Sequence, residues 1–461
     1  MENQQNTPHF TAIVLAAGQG TRMKSPLPKI LHPVAGQPMI QYVINALRSS
    51  GPIREIRAVV GVGETLIRPL LESQEVVCHK QVQQLGTADA VKSAHPADIE
   101  GSVLIINGDH PLIDAAMIKS FVEEFDKSNA DLAVVTATLK DPGNFGRVVR
   151  HYDQVKAIVE VKDASKDTLK INEVNTGIYL VKAEVLNMFL PEIKSANAQK
   201  EFYLTDLVGA CVESRKKVIA IQGSTDTAFG VNTQKELALA TKRVMRKKVA
   251  KLLEDGVIVI DPSNTYIEPN VSVGAGSVLY PGVFLKGNTR VENFCVIEPN
   301  VFVVDSLVQQ SAQIRAGSYL EKCHVKPKAT IGPYARLRPG TEIGEEAHIG
   351  NFVELKNTVF GARAKAGHLT YLGDAEVGEE TNIGCGTITC NFAADKKKYR
   401  TKIGKNAFIG SDTQFIAPVE IGDNAVIGSG STITKNVPAN ALAVARGRQI
   451  VKENYVKSEE K

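Results

Sequence analysis

The sequence predicts two folds in one chain: an α/β fold on parallel strands in front, and a solenoid of six-residue repeats behind. One long helix joins them. Three patterns carry this reading. Short apolar runs alternate with helical segments up to about residue 232. Aliphatic residues then recur at steps of six. A capped, strongly basic helical segment stands between the two textures.

In the front half, Ile13 to Leu15 is a short apolar run that enters a Gly-rich loop. Pro38 to Leu47 has the pattern of a helix. Ala58 to Val60 and Val103 to Ile106 are further apolar runs. Short buried strands spaced by helices point to an α/β sheet with parallel strands. In the back half, Ile267, Val273, Leu279, Leu285, Val291, Ile297 and Val303 fall six apart. The frame slips and resumes at Val308, Ile314 and Leu320. It continues through Ile331, Leu337, Ile343, Ile349 and Leu355, and ends with Ile403, Ile409, Phe415, Ile421, Ile427 and Ile433. Six is not a helical period. It suits coils with flat faces, one aliphatic side chain per face pointing inward. Gly or small residues then make the corners, as at Gly344 with Ala347 and Gly422 with Ala425. Such coils bury their core only against their neighbours.

The joining helix is predicted over Thr233 to Glu254, opened by a Thr233/Glu236 capping box and closed by Asp255-Gly256. Leu237, Met245, Val249 and Leu252 form its apolar stripe, and Lys242, Arg243, Arg246, Lys247, Lys248 and Lys251 cover much of the rest. A solvated linker explains that basic face without nucleic acid. The expected organisation is therefore a flexible N-terminus over 1–9, a front domain over 10–232, the helix over 233–256, the solenoid over 257–447 and a tail over 448–461.

Composition excludes several classes. Hydrophobic residues are 43% and charged residues 23% of 461, which rules out a disordered chain. No apolar run reaches the roughly 18 residues that span a bilayer. The start is polar and lacks an apolar signal core, so secretion is not expected. The six cysteines are scattered, with no zinc-knuckle spacing, which fits reduced thiols in a cytoplasm. A net charge of +4 gives no argument for nucleic acid, although it leaves room for local phosphate sites.

The first strand runs into Leu15-Ala-Ala-Gly-Gln-Gly-Thr-Arg-Met23. Small residues there let backbone N–H groups approach a phosphate or a base. Alone, this is also the pattern of a tight strand–helix turn, and no P-loop lysine follows. Arg22 and Lys29 sit close by, and two fixed cations beside such a loop suit a triphosphate. A second apolar strand ends in Asn107-Gly108-Asp109. Strand carboxyl ends carry ligand sites in open α/β sheets, and Asp109 there suits Mg²⁺ held against phosphates. In the back half, Ala366 to Asp374 is read as an interruption of the six-residue frame, containing His368. A neutral imidazole is matched to take the proton of an amine attacking a thioester. Arg338, Lys356 and Tyr371 would serve a sugar phosphate.

Together, the Gly-rich loop, the Lys29 segment, Gln84-Leu-Gly-Thr87, Asn107-Gly-Asp109, Asn144-Phe-Gly-Arg147, Val159-Glu160, Asn172 to Gly177 and Gly230-Val-Asn232 resemble the sugar-nucleotide pyrophosphorylases. With Ala335 to Gly340, Gly350 to Lys356, the His368 segment and Asn382 to Asn391, the chain resembles the bifunctional N-acetylglucosamine-1-phosphate uridylyltransferase/glucosamine-1-phosphate acetyltransferases. The resemblance implies a Rossmann-like nucleotidyltransferase domain and a left-handed, three-sided β-helix. Leu15, Ala16, Ala17, Gly18, Gln81, Gly86 and Thr87 would hold the nucleoside, with Arg22 and Lys29 on the phosphates. Asn107 and Gly108 would stand beside them, and Gly146, Glu160 and Asn175 would hold the N-acetylglucosamine. Asp109 and Asn232 would bind Mg²⁺.

In the acetyltransferase, His368 would be the base, Arg338 and Lys356 would hold the sugar phosphate, and Tyr371 and Asn382 the amino sugar. Cys385, Asn391, Phe392, Ser411, Ser429 and Arg446 would line the acetyl-CoA groove. A homotrimer through the β-helix, small-molecule substrates only, and a product destined for peptidoglycan and lipopolysaccharide are also implied. The sequence departs from the family pattern at Asn107, at His110, at Ala88-Asp89 and over Asn391 to Asp395, and the loop to Ile403 is one residue longer. Lys396, Lys397, Lys398 and Arg400 in that loop are read as CoA phosphate contacts or as solvated charges. The alternative is a single-activity sugar-1-phosphate nucleotidyltransferase carrying a non-catalytic repeat scaffold.

Overall fold

The computed structural model describes residues 9–453 and 455–456; the rest of the predicted flexible N-terminus and of the tail lies outside the described residues. The chain divides into two compact units between Val244 and Met245, inside the connecting helix.

The front unit is built on nine strands: β1 (Phe10–Ala16), β2 (Ile53–Val60), β3 (Val77–Lys80), β4 (Ser102–Asn107), β5 (Leu132–Thr138), β6 (Arg147–His151), β7 (Gln154–Val159), β8 (Glu173–Lys182) and β9 (Val218–Gln222). The main order is β9-β5-β8-β4-β1-β2-β3, with the β6–β7 hairpin attached through β8. Alternation along β1 explains its two-sided burial. Ala12, Val14 and Ala16 face Ile40, Val43 and Leu47 of the helix Met39–Ser49, and Ile13 faces the opposite layer with Val91 and Leu207. The predicted helix at Pro38 starts one residue later, with Pro38 as its cap.

The expectation of parallel strands holds for most of the sheet and is corrected in one respect. Strand β8 runs antiparallel to both β4 and β5, so the sheet is mixed. After β5 the chain enters a hairpin instead of a crossover helix, and a strand returning from a hairpin needs no parallel alignment.

The helix Gln234–Glu254 begins as the capping box predicts: Glu236 N donates to Thr233 Oγ1 (3.2 Å). The Glu236 carboxylate in turn accepts from the backbone N of Asn232 (2.8 Å), which fixes the turn before the helix. Of the predicted stripe, Val249 and Leu252 are buried and join the solenoid core, while Leu237 and Met245 are only half-buried. Ala240 and Val244 complete the inner side. Arg243 leaves the basic set, since it pairs with Asp226 (3.1 Å) and lies over the Phe229 ring.

The second unit is a parallel β-helix. Its described residues form three sheets of eleven, ten and nine short strands, each strand pairing with its equivalent one coil on. Leu279 pairs with Ile297, Leu285 with Val303 and Val273 with Val291, so the inward residues stack in three columns. The slip after Val303 is a repeated feature. Val303 to Val308, Leu320 to Val325, Leu355 to Phe360 and Leu372 to Val377 are all steps of five, with every one of these residues buried. At these corners Asp305, Lys322, Asn357 and Asp374 take positive φ of 46–49°, which turns the chain one residue sooner.

The segment Ala366 to Asp374 does not break the frame, contrary to the sequence reading. Ala366 and Leu372 are both inward and fully buried, six apart, and Thr389 fills the later inward place. The real interruption is the excursion between Cys390 and Thr401.

Coils are brought together at their corners by glycine. A Cβ on Gly361 would stand 2.6 Å from Glu379 N and from the Gly378 carbonyl carbon, and φ there is not left-handed. Gly361→Ala should therefore lower stability by about 1–3 kcal/mol through overpacking alone. Chemical denaturation of the full chain measures this, and an unchanged midpoint would contradict it.

Candidate functional site

Strands β1 and β4 lie side by side, with Leu15 paired to Asn107, so the Gly-rich loop and Asp109 emerge at the same sheet edge. Two cavities of about 250 Å³ each open there. The first is lined by Leu15, Ala16, Ala17, Gly18, Lys29, Gln81, Gly86 and Thr87. The second is lined by Gly146, Glu160, Asn175, Thr205 and Asn232. Leu15, Thr87, Asn107 and Asp109 belong to both, so they form the shared wall. Gly108 lines neither; its N–H donates to Leu15 O (2.9 Å) and ties the two strand ends.

At that wall the Lys29 ammonium bonds the Asp109 carboxylate and donates to Asn232 Oδ1 (3.1 Å). Arg22 Nη2 donates to the same Asn232 oxygen (2.9 Å) although Arg22 lines neither cavity. Burial would raise the Asp109 carboxyl, but Lys29 and His110 beside it hold it below the ordinary carboxylate value. His110 is 4% exposed, and its Nε2 lies 3.6 Å from Asp109 Oδ1. Burial lowers its pKa against the pull of Asp109.

The other departures are locally matched. Asp89 accepts from Gln81 Nε2 (2.7 Å) and so fixes a residue of the first cavity. Asn107 Nδ2 would come within 2.4 Å of a Cβ at Gly177, so that pair depends on glycine. In the second cavity Asn175 Nδ2 donates to Tyr179 OH (2.7 Å). Glu160 is raised by burial and then by Asp163 and Asp206. Gly146 leaves it room, since a Cβ there would stand 3.2 Å from Glu160 Oε1. Sequence reasoning missed Thr205 and Glu201, which enter from a loop with no motif of its own. Thr87 shows how that loop is held: its Oγ1 accepts from Leu204 N (2.9 Å).

Asp109 and Asn232 offer two hard oxygens to a single cation, and Lys29 already occupies that role between them. This donor set suits Mg²⁺, which takes one or two protein oxygens plus phosphates. No cluster of three or more His, Cys, Asp or Glu residues exists among the described residues, so a fuller protein cage is not on offer.

In the β-helix, His368, Cys385, Ser411 and Ser429 each stand two residues after an inward residue of the eleven-stranded sheet: Ala366, Ile383, Ile409 and Ile427. They therefore form a column along one edge, three coils or about 14 Å long. Gly430 N donates to Ser411 O and Asp412 N to Cys385 O, which locks the column coil to coil. Arg446 Nη1 reaches Ser429 O (2.8 Å) at its lower end. Asn382 lies on the face before this edge, while Tyr371, Lys356 and Arg338 lie on the face after it. Arg338 pairs with Glu354 (2.8 Å).

Asn391 is 7% exposed and its amide donates to Asp374 Oδ2 (2.5 Å), so it anchors the loop. Lys398 is exposed, on the excursion before Thr401. It lies against Lys356, where it and Arg338 push that ammonium's pKa down. Phe392 is 64% exposed. A further cavity of about 630 Å³, along Val377, Ile403, Ile421 and Val437, contains none of the predicted site residues.

Residues 12–169 match the MobA-like NTP transferase domain, and residues 400–435 the bacterial transferase hexapeptide of six repeats. The bifunctional protein GlmU of Bdellovibrio bacteriovorus is 59% identical over 97% of both chains. The chain belongs to the GlmU family. The GlmU protein of Carboxydothermus hydrogenoformans is 43% identical, over 96% of this chain and 99% of its own. A solved UDP-glucose pyrophosphorylase complexed with UDP-glucose is 18% identical, with a TM-score of 0.43, covering 52% of this chain and 99% of that one. As a GlmU protein, the chain is a bifunctional enzyme of UDP-N-acetylglucosamine synthesis, a uridylyltransferase and an amino-sugar acetyltransferase.

The buried Asp109 gives a stability prediction. Its ionised form stabilises the fold above the ordinary carboxylate range, and this is lost as pH falls through its lowered pKa. Lys29→Met leaves that charge unpaired and should cost about 3–5 kcal/mol at pH 7. The cost should shrink at pH 5, because burial would then protonate Asp109. Urea denaturation at the two pH values measures both, and an equal cost at each would refute this account.

Proposed function

We propose that the two cavities of the front unit hold the two substrates of uridylyl transfer, and that the reacting atoms meet at their shared wall. The carrying observation is the convergence of Lys29, Arg22, Asp109 and Asn232 on that wall. Leu15 to Gly18, Gln81, Gly86 and Thr87 hold UTP in the first cavity. Gly146, Glu160 and Asn175 hold N-acetylglucosamine-1-phosphate in the second. A phosphate oxygen of the sugar attacks the α-phosphorus of UTP in line, and pyrophosphate leaves. The protein needs no nucleophile; positioning and charge neutralisation suffice. Asp109 and Asn232 would hold Mg²⁺, which would supply charge neutralisation on the phosphates. Lys29 and Arg22 meet the negative charge that grows on the leaving pyrophosphate.

In the β-helix, His368 takes the proton of the glucosamine amine as the amine attacks the acetyl thioester, and CoA leaves as its thiolate. Arg338, Lys356 and Lys398 hold the sugar phosphate, with Tyr371 and Asn382 on the sugar. The Cys385–Ser411–Ser429 column and Arg446 receive the extended coenzyme, whose length suits a run of three coils. The acceptor residues occupy two faces on either side of one edge, so a neighbouring copy is needed to close the site, which favours a homotrimer in the cytoplasm. No described helix is long and apolar enough to cross a membrane.

A coupled assay with glucosamine-1-phosphate, acetyl-CoA, UTP and Mg²⁺, omitting each in turn, tests the assignment by product mass. His368→Ala should lower acetylation by roughly 10²–10⁴-fold and leave uridylyl transfer intact. Asp109→Ala should do the reverse, and chelating Mg²⁺ should stop only uridylyl transfer. Loss of both activities in a folded His368→Ala protein would sink the division of labour.

A further inference from the structure

Asp374 has no assigned role, yet it occupies the most constrained position near the acetyltransferase residues. Its carboxylate is buried, at 9% exposure, on a corner with φ of 49°. Its Oδ1 accepts from Asn357 Nδ2 (2.5 Å), and Asn357 directly follows Lys356. Its Oδ2 accepts from Asn391 Nδ2 (2.5 Å). Asn391 is one foot of the excursion that carries Lys398; Tyr399 N, at the other foot, donates to Asn391 O (2.8 Å). The Asp374 backbone completes the brace, with N donating to Lys356 O (2.9 Å) and O accepting from Thr401 N (3.2 Å).

We propose that Asp374 is a positioning residue that assembles the sugar-phosphate clamp, by holding Lys356 from one coil and Lys398 from the excursion on one spot. The physical problem is repulsion: two ammonium groups side by side separate unless something holds them. Lys398 is placed beside the brace by its backbone, which bridges to Phe392, the residue after Asn391; the lowering of the Lys356 pKa by Lys398, opposed by Asp374, agrees with that placement. The brace also shapes the floor. A Cβ on Gly373 would meet Tyr371 OH at 2.4 Å and Asn391 Nδ2 at 2.8 Å, so the brace and the sugar-side tyrosine share that corner. With the clamp held open in advance, a dianionic phosphate does not pay to gather the cations itself.

This inference rests on the reading that Lys356 binds the sugar phosphate, and the test separates the two. In the full-length protein, Asp374→Asn replaces one acceptor with a donor and removes the charge. The KM for glucosamine-1-phosphate should rise about tenfold or more, with kcat within about threefold. The KM for acetyl-CoA, uridylyl transfer, and kcat/KM for unphosphorylated glucosamine should stay within about twofold. Equal losses with both acceptors, or a fall in kcat at unchanged KM, would overturn the proposal. If Asp374→Asn does not fold, Asn357→Ala cuts the Lys356 arm alone. It must show the same phosphate-selective loss, and failure to do so overturns the proposal equally. A raised KM in Lys356→Ala without one in Asp374→Asn refutes the role of Asp374 and leaves that of Lys356 standing.

Discussion

A carboxylate taken out of water costs several kcal/mol unless charges or hydrogen bonds meet it, and each functional region here is organised around one such group. In the front unit it is Asp109, at the carboxyl end of a central strand, met by Lys29 and flanked by His110. In the β-helix it is Asp374, at a tight corner, met by two side-chain amides. The difference in partner decides the difference in use. An ammonium can be exchanged for another cation, so Asp109 is not tied to a single partner. Neutral amides on fixed backbone cannot be exchanged in that way, so Asp374 acts as a brace. Neither carboxylate could be replaced by an apolar residue without leaving its partners unsatisfied.

The period of six made the β-helix legible, because each inward place needs an aliphatic side chain and the next coil repeats the demand. It failed where the inward residue is not aliphatic. Ala366 and Thr389 fill inward places and are fully or almost fully buried, yet neither stands out in a hydrophobic pattern. The result was a false interruption at His368, while the true one, Cys390 to Thr401, lies where the sequence reading placed a loop. The five-residue corners were hidden for a different reason: a positive φ at Asp305 or Asn357 shortens a turn without any glycine to mark it. In the front unit, strand positions were legible from apolar runs but strand direction was not, since direction depends on the connection. The antiparallel β8 follows a hairpin that the sequence reading did not resolve.

The candidate sites divide the same way. The Gly-rich loop and Asp109 could be singled out because backbone approach and strand-end placement constrain residue type, and they lie at one sheet edge. The partners of Lys398 and Asn391 were not legible, because both depend on how an excursion folds back. Their partners, Lys356 and Asp374, are 42 and 17 positions away in sequence. The departures at Asp89, Asn107 and His110 are each matched by a neighbour: Gln81, Gly177 and Asp109. Substitutions that arrive with a partner adjust the walls of the cavity and leave the Lys29–Asp109–Asn232 centre as it is.

The β-helix keeps its chemistry off its core by a simple geometric rule. Inward residues hold the coils together; residues two or three further on stand at the edge, beyond the strand ladder. His368 follows Ala366 in this way and is exposed, while Leu369 beside it takes a positive φ of 41° that a bulky side chain ordinarily avoids. The strain is tolerated because Leu369 N and O are both bonded to neighbouring coils, at Asn351 and Gly386. The imidazole is thus carried on backbone that the coils above and below overdetermine. An edge position can change its side chain without disturbing a core, and a rigid one can place that side chain reproducibly. A column of such positions therefore presents side chains in fixed register along one edge of the scaffold.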